Sequence, residues 1–159
     1  MTDSTADTLD ADEQGAFAVC ELELRQFGGT RSARGKVRTI RCLEDNTLVK
    51  DLVSKPGHGQ ILVVDGGGSR RTALLGDNVG RMAAEQGWAG LIFNGCVRDS
   101  AELGDLPVVI KAIGTNPRRS GKAGIGEVDV PVTFGGVTFH PGADLITDDD
   151  GVIVAIKPS

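Results

Sequence analysis

The sequence is poor in aromatic residues and lacks the features that direct a protein to membranes or nucleic acids. Aromatic side chains make up 4% of its 159 residues and tyrosine is absent, so aliphatic side chains must fill the core. The formal net charge of -5 disfavours electrostatic binding to nucleic acids or to anionic membranes. No apolar run approaches the roughly 20 residues that a membrane-spanning helix needs. Composition therefore predicts a soluble protein that binds neither nucleic acid nor membrane.

Paired cysteines and a signal peptide are also lacking. Cys20, Cys42 and Cys96 form no Cys-x-x-Cys pair, which favours free buried thiols in a reducing compartment. Residues 1–15 are acidic and polar, without the basic start and the apolar core of a signal peptide. We therefore expect a cytoplasmic protein in which residues 1–15 form a flexible acidic tail and residues 16–159 form a single domain.

Glycine, in contrast, is abundant, and three glycines follow one another directly after an apolar run. The chain has 23 glycines, of which Gly66, Gly67 and Gly68 follow the run QILVVD. A dinucleotide-binding loop needs the spacing Gly-x-Gly-x-x-Gly, and a P-loop needs Gly-Lys-Ser/Thr; neither is present. The glycines therefore predict a sharp turn where other backbone approaches closely, rather than a nucleotide site.

The middle of the chain alternates strand patterns with helix patterns, whereas the part after Gly126 is rich in short strands. A strand, a helix and a second strand within about thirty residues favour a parallel strand pair. Gly135-Gly136 and Asp150-Gly151 are hairpin signals. The pattern predicts strands at 35–43, 60–65, 88–95 and 107–114, a helix after Asp45 or Asn46, and a helix at about 76–86 capped by Asp77 or Asn78. The fold class is therefore α/β.

The strongest chemical signal is the spacing D-x20-R-D-x2-E, formed by Asp77, Arg98, Asp99 and Glu102. Asp77 begins a predicted helix and Arg98-Asp99 follow the next parallel strand, so we expect them at the edge of the sheet where α/β proteins bind ligands. Helix amides near Asp77 and the Arg98 guanidinium suit a carboxylate, and Asp99 suits a divalent metal. A 2-oxo acid fits this set. An ordinary surface ion pair between Arg98 and Asp99 explains the spacing equally well.

Lys111 and the basic segment 116–122 each have more than one interpretation. Lys111 can be imagined as a Schiff-base lysine, although a lysine that extends from the end of a strand is the favoured interpretation. The basic segment 116–122, NPRRSGK, either lines the cleft and attracts dianionic acids or forms a solvated loop.

Motifs along nearly the whole chain after the acidic segment together resemble one known family. They include RQFGG, GKVRTIRCLEDNTLVK, ILVVDGGGSRRTALLGD, GLIFNGCVRDSAEL, KAIGTNPRRS and GEVDVPVTFGGVTFHPGADLITDDDGVIV. The sequence closely resembles the regulator of ribonuclease activity A (RraA) family, which includes the class II 4-hydroxy-4-methyl-2-oxoglutarate aldolases. The resemblance implies a β/β/α swivelling-domain sandwich with a mixed sheet, helices on one side and a β-rich C-terminal part. It also implies a homotrimer or hexamer with active sites between subunits.

The resemblance further implies an activity and roles for the motif residues. The activity is metal-dependent cleavage of 4-hydroxy-4-methyl-2-oxoglutarate to two pyruvates, with oxaloacetate decarboxylation as a secondary reaction. Arg98 matches the ligand of the substrate carboxylate, and Asp99 matches the ligand of Mg²⁺ or Mn²⁺. Asp77 and Glu102 match the remaining catalytic acids, which reach the metal through water. The substrate-binding segment matches Gly76, Asp77, Asn78 and Val79. A non-catalytic inhibitor that binds a ribonuclease partner is the alternative function.

Overall fold

Aliphatic runs separated by glycine turns produce a strand-rich architecture in residues 4–158, the part of the chain that the computed structural model describes. In chain order the elements are α1 (Thr5–Asp10), β1 (Phe17–Val19), β2 (Arg25–Gln26), β3 (Ala33–Arg41), α2 (Thr47–Val53), β4 (Ile61–Asp65), α3 (Asp77–Glu85), β5 (Gly90–Val97), α4 (Ser100–Leu103), β6 (Val109–Thr115), β7 (Glu127–Val128), β8 (Val132–Phe134), β9 (Val137–Phe139), β10 (Asp144–Asp148) and β11 (Gly151–Ala155).

Four parallel strands, β3 to β6 in chain order, form the centre of a mixed sheet. The first half of β3 also pairs with β10, which continues antiparallel into β11 and then β1. β2 pairs antiparallel with β6, β7 pairs with the end of β3, and β8 and β9 form a separate hairpin. The predicted parallel pair and both predicted hairpins are confirmed, as is the α/β class with a β-rich C-terminal part.

Successive side chains of the central strands point to opposite faces of the sheet, so the hydrophobic core has one part on each face. In β4, Leu62 and Val64 pack on the face that α2, α3 and α4 cover, whereas Ile61 and Val63 pack toward the β8–β9 hairpin. Phe93 and Ile92 divide in the same way in β5. Both faces of the central strands are therefore buried, which explains why these strands read as continuous apolar runs.

The structure corrects the expectation of a flexible acidic tail for residues 4–15. Ser4 caps α1 by accepting a hydrogen bond from the Asp7 amide at 3.0 Å. Thr5 is buried, and both its amide and its hydroxyl donate to the Asp148 carboxylate at 2.8 Å. The start of the segment is thus ordered by a side chain more than 140 residues away, which local composition does not reveal; residues 1–3 lie outside the described part.

Two further observations bear on the setting of the protein. Within residues 4–158, no helix is long and apolar enough to span a membrane. The three cysteines are free thiols and all are buried. Burial raises the pKa of the Cys42 thiol to about 12, so this group stays protonated and unreactive at neutral pH.

Candidate functional site

The segment that leads into α3 lies against the end of β5, at the carboxyl edge of the parallel strands. The Leu74 amide donates to the Cys96 carbonyl at 2.8 Å, and the Arg98 amide donates to the Leu75 carbonyl at 2.9 Å. These backbone bonds place Gly76 and Asp77 directly beside Arg98 and Asp99. The structure therefore joins the two halves of the D-x20-R-D motif, as the sequence predicts.

Asp99 acts as a cap for a helix to which it does not belong. Its Oδ2 accepts a hydrogen bond from the amide of Asp77, the first residue of α3, at 3.0 Å. The residue that precedes α3 is Gly76, which has no capping side chain, so the predicted cap by Asp77 or Asn78 is wrong. The Asp99 carboxylate thus compensates the positive end of α3 from a neighbouring strand, which fixes its orientation.

Asp99 also has a strained backbone. Its φ of 57° and ψ of 43° lie in the left-handed region, which is uncommon for residues other than glycine, although aspartate tolerates it better than most. This turn ends β5 and begins α4, and it directs the carboxylate toward α3. Strain of this kind concentrates at functional sites, where the surrounding structure holds it.

Gly76 permits the close approach of these groups. A Cβ atom at this position would lie 2.7 Å from Asp99 Oδ2 and 3.3 Å from Arg98 Nε. Since the first distance is well below van der Waals contact, any side chain here would displace the carboxylate. Glycine is therefore needed at position 76 because there is no room for a Cβ atom, and not because of its backbone conformation.

A cavity of about 260 Å³ opens at this point. Its lining includes every residue that the sequence assigned to substrate binding: Gly76, Asp77, Asn78, Val79 and Arg98. Asp99, the predicted metal ligand, lines it as well. Glu102 does not; it is exposed on the short α4. The structure thus brings together all the predicted site residues except Glu102.

The cavity also contains residues that the D-x20-R-D-x2-E motif did not indicate. Asn46 and Lys50 come from α2 and its start, and Arg119 and Lys122 come from the loop after β6. The Lys122 ammonium donates to Asn46 Oδ1. Lys122 is exposed, yet partial desolvation together with the nearby cations Lys50, Arg119 and Arg98 lowers its pKa. The basic segment 116–122 was the sequence signal for half of this group, and its interpretation as a cleft lining is the one the structure supports.

Arg98 and Asp99 do not form the surface ion pair that was the alternative interpretation of the motif. The salt bridges found among residues 4–158 do not include this pair. Arg98 Nη1 instead donates to the Pro117 carbonyl at 3.4 Å, while Asp99 caps α3. Both charged groups therefore face the cavity rather than neutralise each other.

The donor set at the cavity fits a weakly chelated hard cation. In the described part of the chain, no cluster of three or more His, Cys, Asp or Glu side chains forms a ready metal cage. Asp77 and Asp99 nevertheless both line the cavity. Oδ2 of Asp99 accepts from the α3 amide and Oδ2 of Asp77 lies 3.8 Å from Arg81 Nη2, which leaves Oδ1 of each carboxylate for a cation. Mg²⁺ is commonly held by one or two carboxylates, with water and substrate as the other ligands, so these residues fit such an ion.

Lys111 and the glycine turn lie apart from this chemistry. Lys111 is buried on β6, outside the residues that line the cavity, and its ammonium donates to the Asp148 carbonyl. At Gly66, a Cβ atom would lie 2.6 Å from a Leu74 methyl and 2.9 Å from the Asn94 carbonyl oxygen. The glycine turn is thus a close packing contact, as the sequence predicts.

Comparisons with known proteins identify similar chains along nearly the full length. The family model RraA-like, described as Aldolase/RraA, matches residues 5–154. A solved structure from Geobacillus kaustophilus HTA426, described as an S-adenosylmethionine:2-dimethylmenaquinone methyltransferase, is 47% identical; the match covers 98% of this chain and 96% of that chain, with a TM-score of 0.94.

Two further solved structures carry names from ribonuclease regulation. The RNA-processing inhibitor RraA from Thermus thermophilus is 43% identical, with a TM-score of 0.94 over 100% of this chain and 96% of that chain. RraAS2 from Streptomyces coelicolor, described as an unusual member of the RNase ES inhibitor RraA protein family, is 27% identical. Its TM-score is 0.78, and the match covers 96% of this chain and 81% of that chain.

Proposed function

The chain belongs to the RraA-like (Aldolase/RraA) family, and we propose that it is a divalent-metal-dependent lyase that cleaves a pyruvyl-containing acid. The proposed reaction is the retro-aldol cleavage of 4-hydroxy-4-methyl-2-oxoglutarate to two pyruvates, with oxaloacetate decarboxylation as a secondary activity. The observation that carries this proposal is the convergence of Arg98, Asp99 and the first turn of α3 on one small cavity. The proposed setting is the cytoplasm, in agreement with three free buried thiols.

The charge and size of the cavity favour a small organic acid. Lys50, Arg98, Arg119 and Lys122 contribute four cationic groups to its lining. The volume of about 260 Å³ is below the roughly 300–1,000 Å³ of pockets for drug-sized ligands. A compact dianion matches this combination better than a bulky cofactor such as S-adenosylmethionine, so we do not extend the methyltransferase description of the Geobacillus protein to this chain.

Arg98 and the start of α3 would orient the substrate. The guanidinium can bind a carboxylate through two parallel hydrogen bonds, which fixes the plane of the 2-oxo acid. The amide of Asp77 is occupied by Asp99, whereas the next amides of the first turn, at Asn78 and Val79, have no acceptor within the helix. Together these donors hold the acid end and leave the keto group directed toward Asp99.

Asp99 would hold the Mg²⁺ or Mn²⁺ ion, and Asp77 and Glu102 would act through water. When bound, the ion supplies Lewis-acid polarisation of the keto oxygen. Cleavage of the C3–C4 bond requires loss of the C4 hydroxyl proton and return of a proton to C3 of the departing pyruvate. Asp77 lines the cavity, where it would orient the water that takes the first proton and returns the second. Because Glu102 lies outside the cavity lining, we assign it a smaller contribution than Asp77.

Pyruvate release across a panel of 4-hydroxy-2-oxo acids and oxaloacetate tests this proposal. We expect turnover that requires Mg²⁺ or Mn²⁺, stops in EDTA and falls strongly in Arg98→Ala. Turnover that is unchanged in EDTA would overturn the metal mechanism. Borohydride trapping of substrate on Lys111 would establish the Schiff-base route instead.

A second candidate function is inhibition of a ribonuclease by direct binding. It is favoured by the 43% identity to the Thermus protein, which is described as an RNA-processing inhibitor. The net charge of -5 suits a basic protein surface better than RNA itself. Pull-down of a ribonuclease from native lysate, together with inhibition of that ribonuclease by the purified protein and no lyase activity, would favour this function over the enzyme.

A further inference from the structure

A buried carboxylate next to the cavity takes no part in the chemistry assigned above. Asp45 is 5% exposed and precedes α2. It accepts hydrogen bonds from three backbone amides: its neighbour Thr47 at 3.0 Å, and, across the loop after β6, Gly124 at 2.9 Å and Ile125 at 3.4 Å. Burial alone would raise the pKa of Asp45, but hydrogen bonds from Thr47 and from loop amides that include Ile125 hold it below the ordinary range, so the side chain is ionised at neutral pH.

The loop that Asp45 contacts is held against the segment between β3 and α2 at both of its ends. We call residues 121–126 the basic loop, because it carries Lys122. At one end the Gly121 amide donates to the Glu44 carbonyl at 2.9 Å. At the other end Gly126 has a φ of 150°, and a Cβ there would lie 2.6 Å from the Arg41 carbonyl oxygen. The basic loop is exposed, but both of its ends lie against residues 41–44, and Asp45 supplies the side-chain bonds in its middle.

Electrostatic repulsion opposes this position. The positive charges of Lys50, Arg119 and Arg98 repel the charged form of Lys122. Asp45 is the anionic group that acts on Lys122 in the opposite direction. Lys122 is itself exposed, so besides its hydrogen bond to Asn46 Oδ1 it depends on the anchoring of the glycine-rich loop to stay beside the cavity.

We propose that Asp45 is a positioning residue for substrate specificity: by pinning the basic loop, it holds Lys122 in the cavity as the partner of a second carboxylate on the substrate. This inference rests on the proposed function, because it assumes that the cavity binds a 2-oxo acid. Asp45 itself touches no substrate. Loss of the Asp45 carboxylate weakens the binding of dicarboxylic acids and leaves Arg98 and Asp99 in place.

The test combines steady-state kinetics with amide hydrogen exchange on the full chain. In Asp45→Asn, we expect the KM for oxaloacetate to rise about tenfold, while kcat changes by less than about twofold. Lys122→Met is expected to raise the KM similarly, and the double variant to be no worse than the more affected single variant. The amides of Gly124 and Ile125 are expected to exchange faster in Asp45→Asn than in the unmodified protein.

Glu44→Gln is the matched control, because it removes the same charge from the adjacent, half-buried residue, whose contact with the basic loop is made by its backbone carbonyl. It is expected to keep the KM and the exchange rates of the unmodified protein. An unchanged KM in Asp45→Asn, multiplying effects in the double variant, or unchanged exchange at Gly124 and Ile125 would each overturn the inference. Absence of turnover in the unmodified protein would overturn the proposed function, whereas the exchange data still test the anchor. If Asp45→Asn does not fold, Asp45→Glu, which shifts the carboxylate by one methylene, is expected to change KM and exchange in the same direction.

Discussion

At the scale of single residues, the site depends on groups that share very little space. The Asp99 carboxylate, the Arg98 guanidinium and the backbone of Gly76 occupy one corner of the cavity. Asp99 reaches that corner through a left-handed backbone and an amide hydrogen bond from Asp77. Because each group limits the position of the next, a small displacement of one is expected to affect binding and catalysis together.

Gly76→Ala tests this crowding. The added Cβ would lie 2.7 Å from Asp99 Oδ2, so the carboxylate must shift, and we expect kcat/KM for pyruvate release to fall about 100-fold. Stability should fall by only about 1 kcal/mol, since the residue is a helix cap. Urea unfolding followed by Trp88 fluorescence measures the latter, because Trp88 is the single tryptophan and is buried.

Gly104→Ala is the control for this variant. Gly104 has an ordinary φ of -64°, and its nearest obstacle is the Ala101 carbonyl oxygen at 3.3 Å. We expect it to retain most of the activity. Equal activity losses in the two variants would contradict a specific requirement for space at Gly76.

At the scale of elements, α1 shows how a short helix is held by a distant partner. A helix of six residues is too short to persist alone, so it depends on the Ser4 cap and on the Asp148 carboxylate. Neither signal is visible as periodicity, since TADTLD contains a single leucine and two acidic residues. The sequence therefore predicted a tail where the structure has an anchored helix.

The anchor of α1 predicts a pH dependence of stability. Burial would raise the pKa of Asp148, but the two hydrogen bonds from Thr5, a third from the Asp150 amide and the nearby Lys111 charge together hold it below the ordinary value of 3.8. A lowered carboxyl pKa contributes stability above the unfolded-state pKa, and that stability is lost as the pH falls through the folded-state pKa. We expect the free energy of unfolding to fall below about pH 4, and to fall less steeply in Asp148→Asn.

Urea unfolding at pH 7 and pH 3 measures this difference. At pH 7, Asp148→Asn should lose about 1 kcal/mol, because Asp148 is half-buried and water partly replaces the lost hydrogen bonds. Asp149→Asn is the control, because Asp149 forms an exposed ion pair with Arg31 that contributes little. The same pH dependence in both variants would show that Asp148 is not the anchor.

At the scale of the whole molecule, local patterns predict the central strands and the two C-terminal hairpins, but neither the edge strands β1 and β2 nor the complete site. The central strands could be predicted because Leu62, Val63 and their neighbours are buried on both faces, and the position of Arg98-Asp99 followed from the order of the strands. Asn46 and Lys122 could not be paired from the sequence, because they are 76 residues apart and meet only through the packing of the basic loop on α2. For Glu102 the sequence predicts too much: its spacing fits the motif, yet its side chain is exposed.

The family resemblance and the surface together predict an oligomer. Leu43 and Ile125 are 64% and 72% exposed and border an apolar groove, an arrangement more typical of an interface than of a free surface. We expect three or six copies, with masses of about 50 or about 100 kDa from chains of 16.6 kDa. Light scattering after size exclusion measures the mass, and a species of one chain at micromolar concentration would contradict this expectation.

The most direct test of the central claim is a Mg²⁺ titration of pyruvate release from 4-hydroxy-4-methyl-2-oxoglutarate, in the unmodified protein and in Asp99→Asn. Asp105→Asn is the control, because Asp105 is exposed and lies outside the cavity lining. We expect saturable activation by Mg²⁺ in the unmodified protein and in Asp105→Asn, and a rate about 10² to 10³ lower in Asp99→Asn. A rate and a Mg²⁺ dependence in Asp99→Asn equal to those of the unmodified protein would contradict it.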